Sequence, residues 1–445
     1  MARRDGSAVV TVPSGIEGVV DLEQTREELH ESARVKLGVT GDAETTGFRT
    51  VLRDNQLSVY PIVALGLLYI SDNFQAFAFG VLTPEISRTL GISIGAISAA
   101  IGLRALAVAA APLPVAALTQ GRARRALLCI VTGFLWSVLT LFTGFVTSLL
   151  GLIAILAFDG MSTGSAQSLH TPLVVDSYPP AARVRAVSLY QAVGTFGNIL
   201  APALVGLLAS VAGFTWRGVF LLLGLTSIAM TMVSLGLRDP GFGKCDTEQL
   251  RASVREAHRE EGGTPDLAAD DVTLGFWEIC RRVMLVPTNR RICAGFAVLG
   301  ILVVPLLTFV SFFLDERWNL GPGKRGLFFA YYAGAGVIAL LSYGRRGEKQ
   351  FSADPARLLR VGGYLLGMGV VFIAIGGVMP WFWPMVVCFG LAGGCIAVLT
   401  PALGISLLSI VPSNMRAHAQ SLAQMFAAIG GTAGALLLSG VQTQY

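Results

Sequence analysis

The chain has 445 residues, of which 53% are hydrophobic and only 14% charged, with a formal net charge of +5. That composition leaves too little polar surface to clothe a water-soluble globule of this length, so most of the chain must be solvated by lipid. The basic balance does not indicate a nucleic-acid partner, because no stretch interleaves cations with aromatics, and cations retained on the cytoplasmic side of a membrane account for it.

Residues 1–57 are polar and mixed in charge and lack the apolar core of a secretory signal, so they are expected to form a cytoplasmic N-terminal tail. From Val59 onward, apolar runs approach the roughly 20 residues that a helix needs to cross a bilayer. Spanning segments 1 to 6 are predicted at 59–82, 94–118, 126–146, 149–175, 186–211 and 215–237, forming an N-terminal bundle over 58–237. Residues 238–291 read as a cytoplasmic linker carrying one or two surface helices, in EQLRASVREAHREE and in FWEICRRVMLVPTNRR, the second amphipathic. Residues 292–445 hold segments 7 to 11, at 292–314, 325–343, 358–378, 381–411 and 414–438. The six cysteines show neither CxxC spacing nor accompanying histidines and read as small apolar residues.

Cations concentrate in alternate loops, Arg122, Arg124 and Arg125, then Arg183 and Arg185, then Arg345, Arg346, Lys349, Arg357 and Arg360, whereas the intervening loops hold few, Arg317, Lys324 and Arg325 being the main exception. Cations are retained inside, so this pattern predicts a multi-pass protein of a bacterial inner membrane with its N-terminus in the cytoplasm.

The chain also repeats itself. Pro179, Arg183, Ala186, Ser188, Leu189 and Gln191 spell P-x-x-x-R-x-x-A-x-S-L-x-Q, and Pro412, Arg416, Ala419, Ser421, Leu422 and Gln424 spell it again. One copy joins segments 4 and 5 and the other joins segments 10 and 11, so the offset maps one half onto the other as a parallel repeat.

These features resemble the major facilitator superfamily over nearly all of residues 59–438. The resemblance implies an all-α polytopic membrane protein of two six-helix bundles, here with the twelfth helix absent from the chain. LTQGRARRALL resembles the family's basic loop, with Gln120 where an Asp is expected. The implied gating charges are therefore Arg122, Arg124, Arg125 and Asp176, with Arg183 and Arg416 at the repeated junctions. YISDNFQAFAFGVLTPEI and DSYPPAARVRAVSLYQ resemble most the spinster-like lipid transporters and bacterial facilitator proteins fused to an ATP-binding cassette domain. No G-x-x-x-x-G-K-[ST] occurs, so any ATPase domain is expected outside these residues.

Ionisable groups at the bilayer centre are costly and point to function. Asp72, Arg104 and Asp159 fall near the middle of segments 1, 2 and 4, at one depth. Two carboxylates around one guanidinium suit proton coupling, because burial and a neighbouring cation push a carboxyl in opposite directions. The competing reading is a permanent salt-bridge triad that fixes helix packing. Asn73, Gln75, Gln191, Asn198 and Gln424 are candidates either to line a polar half-cavity or to bond helix to helix. His170 joins a proton relay or packs.

The second half carries aromatic residues where the first carries charge, with Phe309, Tyr331 and Tyr332 as candidate cavity residues. A charged wall opposite a greasy one suits an amphipathic cargo. The expectation is a secondary active transporter moving a lipid or drug across the inner membrane by alternating access with proton coupling. Its partners are that small molecule, protons and membrane lipids, with no cofactor. Two alternatives stand: an ATP-driven transporter whose cassette lies outside the chain, and a non-transporting scaffold. No metal-ligand or nucleophile–base spacing appears within the segments, so the chain does not read as an enzyme.

Overall fold

The computed structural model describes residues 53, 57–112, 115, 118, 124–241, 276–353, 355–410 and 416–442. The predicted N-terminal tail and most of the linker lie outside the described residues. The described residues form helices α1 Tyr60–Leu90, α2 Ile94–Ala110, α3 Arg125–Thr143, α4 Leu149–Thr163, α5 Ala166–Ser177, α6 Pro180–Ser210 and α7 Trp216–Val233. They continue with α8 Phe276–Leu285, α9 Pro287–Trp318, α10 Pro322–Ala353, α11 Pro355–Val378, α12 Phe382–Ile410 and α13 Arg416–Gln442. Among the described residues, ten spans are long and apolar enough to cross a membrane, α4 and α5 together making one, while α2 is a shorter apolar helix. The protein is therefore all-helical and multi-pass.

Local chemistry fixes the helix starts. Proline opens α6 and α9, where a missing N–H costs nothing. Ser93, Ser148 and Thr215 cap α2, α4 and α7 by accepting from the backbone N–H three residues on. These caps follow short turns on one face of the bundle, the far face, opposite the near face at which α1 begins. Gly91 ends α1 in the left-handed region at φ 64°, which lets its N–H reach Ser87.

Three helices overrun the limits that hydropathy sets: α1 continues past 82 to Leu90, α9 covers 287–318, and α10 covers 322–353. The additional turns carry Glu85, Arg88, Asp315 and Arg317, which hydropathy rejects and which find partners in the fold. Predicted segment 4 is broken at Gly164 and Ser165. A Cβ on Gly164 would come 2.6 Å from the Val108 carbonyl oxygen, so α2 packs backbone to backbone there.

In the first half, α1 packs against α6 and α7, and α2 against α4; in the second, α9 packs against α13, and α11 and α10 against α12. The halves meet along α2 with α13, α6 with α10, and α1 with α9. Gly206 faces Gly323 and Gly326 across one of these seams, and Thr432 and Ser439 of α13 donate to the carbonyls of Gly102 and Gly95 across another. The contacts of Gly206 with Gly323 and of Ser439 with Gly95 lie toward the far face. Nearer the middle, α5 approaches α13.

Candidate functional site

Arg104 Nε donates to Asp159 Oδ2 at 2.6 Å, joining α2 to α4. The helices can approach because Gly160 follows Asp159: a Cβ there would lie 2.5 Å from the Arg104 carbonyl oxygen. Asp159 is fully buried, whereas 27% of the Arg104 side chain is exposed. Asp72 of α1 is half-buried, within electrostatic reach of both charges but outside their ion pair. The fold thus brings the three mid-depth residues together as one bonded pair and one uncommitted carboxyl.

A polar network stands behind this group. Thr140 of α3 donates to Gln75 Oε1 at 2.7 Å, Trp136 Nε1 donates to Ser71 at 2.9 Å, and Ser137 meets Thr231 of α7 at 3.0 Å. The Gln75 amide approaches Asp159 without closing a well-formed hydrogen bond, and Gln75 Nε2 and Asp159 Oδ1 remain buried without partners. Such orphaned atoms in a low-dielectric interior are costly and mark a place where a proton or polar group would be welcome.

The other predicted residues divide. Asn73 Nδ2 donates to the Gly194 carbonyl at 3.3 Å, so it bonds helix to helix. His170 is buried, its Nδ1 lying 3.0 Å from Tyr190 Oη, among the rings of Trp136 and Tyr190. Tyr69 stacks on Tyr190 at 5.4 Å, and Gly194 makes room for it, since a Cβ would fall 2.0 Å from the Tyr69 ring. Gln191 is exposed, and Asn198 and Gln424 are half-buried.

In the second half, Phe328, Phe329 and Phe389 form a buried aromatic group, with Phe328 to Phe389 centroids 5.6 Å apart. Tyr332 is half-buried, Phe309 and Tyr331 are exposed, and Tyr331 Oη lies against Gly390.

At the near face Arg125, the first residue of α3, reaches Asp176 at the end of α5 through Nη1 at 2.5 Å. It also binds Asp239, beyond α7, through its backbone N–H at 2.9 Å, Nε at 3.2 Å and Nη2 at 2.9 Å. Burial by itself would raise the Asp239 carboxyl, but the hydrogen bonds from Arg125 and the Gly241 N–H outweigh it and hold the group below its ordinary 3.8. Sequence reading missed Asp239, for which the only signal was an acid directly after a basic residue at the end of segment 6. Arg124 is exposed; Arg122 and the side chains of Arg183 and Arg416 lie outside the described residues.

At the far face Arg325 is fully buried and donates to Glu85, lies 2.9 Å from Asp315, and shares Asp315 with Arg88. Sequence reading noted Arg325 only as an exception to the loop-charge pattern.

Several comparisons bear on this geometry. The family model for the Major Facilitator Superfamily matches residues 65–435. The probable sulfoacetate transporter of Cupriavidus necator is 25% identical over 315 residues, covering 70% of this chain and 67% of that protein. Among solved structures, a bacterial homologue of the human lysosomal transporter Spinster, inward-facing and unoccupied, superposes with TM-score 0.70 at 19% identity over 87% of this chain and 82% of that one. A point mutant of the nucleoside transporter NupG superposes with TM-score 0.64 at 13% identity over 86% of this chain and 91% of that one. With the family model matched over most of its length and the same helical fold in these structures, the chain belongs to the Major Facilitator Superfamily of membrane transporters.

Proposed function

We propose that the protein is a secondary active transporter that moves a small amphipathic molecule across the bacterial inner membrane by alternating access, coupled to protons. The observation that carries this reading is Asp72: a half-buried carboxyl at mid-depth beside a bonded Arg104–Asp159 pair, not itself held by that pair. A permanent packing triad would commit all three charges; here one carboxyl is left to gain or lose a proton as access alternates. The second half carries aromatic residues where the first carries charge, which supports an apolar portion in the cargo. The basic near face, with Arg124 and Arg125, supports a cytoplasmic N-terminus. The domain reading that goes with this is a tail at 1–57, bundles at 58–237 and 292–445, and a linker at 238–291.

A second reading is favoured by the partly exposed Arg104. Only its Nε is engaged by Asp159, which leaves the Nη edge to face a carboxylate or sulfonate on the cargo. The similarity to the probable sulfoacetate transporter of Cupriavidus necator supports such an anionic head group.

The test is flux into proteoliposomes under an imposed pH gradient, with sulfoacetate and a fluorescent lysophospholipid as probes. Flux of either probe that follows the gradient in the wild type and is lost in Asp72→Asn is the expected outcome. Flux that ignores the gradient, or survives Asp72→Asn with unchanged pH dependence, would remove the coupling role.

A further inference from the structure

The sequence repeat extends to matched contacts in the fold. The shift that carries Pro179 to Pro412 also carries Gly160 of α4 to Gly393 of α12. A Cβ on Gly160 would lie 2.5 Å from the Arg104 carbonyl oxygen, and one on Gly393 would lie 2.9 Å from the Tyr332 carbonyl oxygen. Arg104 and Tyr332 stand equally far from Ile94 and Pro322, the first residues of α2 and α10, so uniform helical rise sets them at one depth. Tyr332 is thus the second-half counterpart of Arg104.

The two carboxyls beside Arg104 have counterparts too. Asp159 corresponds to Ala392, the residue before Gly393. Asn73 of α1 donates to the Gly194 carbonyl, and Gly300 of α9 approaches the carbonyl of Ala427, which the repeat matches to Gly194. That match carries Asp72 to Leu299. Where the first half gathers three charges, the second therefore holds one tyrosine and two buried apolar side chains.

The Tyr332 hydroxyl is the polar group left in that set. Tyr332 is half-buried, and its Oη has no hydrogen-bond partner among the described residues and is not sealed in, so it reaches open space. The ring is held against α12, where a Cβ on Gly393 would come 3.0 Å from Cδ2. Phe328 and Phe329, one turn earlier on α10, are buried. A lone hydroxyl in apolar surroundings suits a neutral acceptor, because a carboxylate or phosphate there would lose its water without gaining a countercharge.

We propose that Tyr332 is a specificity-determining residue: while Arg104 takes the anionic head of the cargo, Tyr332 Oη donates to an ester or amide carbonyl in its apolar portion. The cargo class is an acylated amphipathic anion. A cargo without the carbonyl leaves the hydroxyl desolvated and unpaired, and is disfavoured for that reason. This rests on the amphipathic-cargo reading of the same gap between the halves.

The full chain in proteoliposomes tests the assignment with two fluorescent lysophosphatidates, one carrying its chain through an ester and the other through an ether. The ether keeps the phosphate and the chain and lacks the carbonyl. Both run in the same vesicles under the same pH gradient, so differences in folding and coupling cancel in the ester-to-ether ratio of rates. The wild type is expected to move the ester several-fold faster. Tyr332→Phe, which keeps the ring, should bring the ratio to parity by slowing the ester alone. Tyr364→Phe, at an exposed tyrosine of α11, should keep the wild-type ratio. A wild-type ratio at parity, an unchanged ratio in Tyr332→Phe, or loss of both probes together in that variant overturns the assignment. A wild type that moves neither probe overturns the amphipathic-cargo reading itself, a failure that shows before any substitution is made.

Discussion

Arg125 holds Asp239 by its own backbone N–H as well as by its guanidinium, so a single residue ties the start of α3 to the chain leaving α7 while Nη1 reaches Asp176 on α5. Both side chains of the Arg125–Asp239 pair are only 5% exposed. Asp239→Asn keeps the shape and removes the charge, and charge-assisted hydrogen bonds of this kind contribute about 2 kcal/mol. The expected outcome is a lower melting temperature in nanodiscs, with a larger drop for Asp239→Asn than for Asp176→Asn, because Asp176 accepts one bond where Asp239 accepts three from Arg125. Equal drops would mean that the Asp239 contacts add nothing beyond those to Asp176.

The same pair gives a pH dependence. The folded Asp239 carboxyl lies below its ordinary value of 3.8. Its contribution is therefore complete above 3.8 and is lost as pH falls through the depressed folded value. Thermal melts of the wild type and Asp239→Asn should converge as the medium is acidified below that ordinary value and stay apart at neutral pH. Curves that run parallel down to strong acid would show that the charge of Asp239 is not what stabilises the junction.

Arg104→Gln leaves Asp159 fully buried with its ionic partner gone. Breaking a buried pair from one side costs roughly 3–5 kcal/mol, whereas removing both charges costs far less. Arg104→Gln should melt well below the wild type, and Arg104→Gln/Asp159→Asn should recover most of that loss in the same detergent. A double variant no more stable than the single one would indicate that the pair contributes through shape and not through charge.

Helix contact by glycine is testable at α9 and α13. A Cβ on Gly300 would come 1.9 Å from the Ala427 carbonyl oxygen, and one on Gly430 would come 1.9 Å from that of Ala297. Backbone oxygens cannot swing aside, so Gly300→Ala or Gly430→Ala must separate the helices, at about 1–3 kcal/mol each. Gly363 and Gly367 of α11 have nothing within 4 Å of a built Cβ, and alanine there should leave the melting temperature unchanged. Similar melting shifts for the two pairs would refute the close packing of α9 on α13.

Thr140→Val deletes the hydroxyl that anchors Gln75 Oε1 and leaves a buried amide unheld beside Asp159. A loss of about 1–3 kcal/mol in stability is expected. In proteoliposomes the pH midpoint of flux should move with it, whereas a packing role alone would lower stability and leave the midpoint in place.

Sequence by itself determined the solvent and the presence of membrane-crossing helices, because crossing a bilayer demands long apolar runs with every backbone group bonded internally, and those demands are written residue by residue. It also placed Asp72, Arg104 and Asp159 at one depth, since helical rise is uniform. Only the tertiary structure decided which charges pair: that Arg104 takes Asp159 and not Asp72, that Arg125 takes Asp239, and that Asn73 bonds a neighbouring backbone. Rotation about each helix axis and the approach allowed by Gly160 set those choices, and neither is local to any one segment. Glu85, Arg88 and Asp315 were lost to a hydropathy reading for the same reason: their charges end an apolar run in one dimension and close a seam between two halves in three.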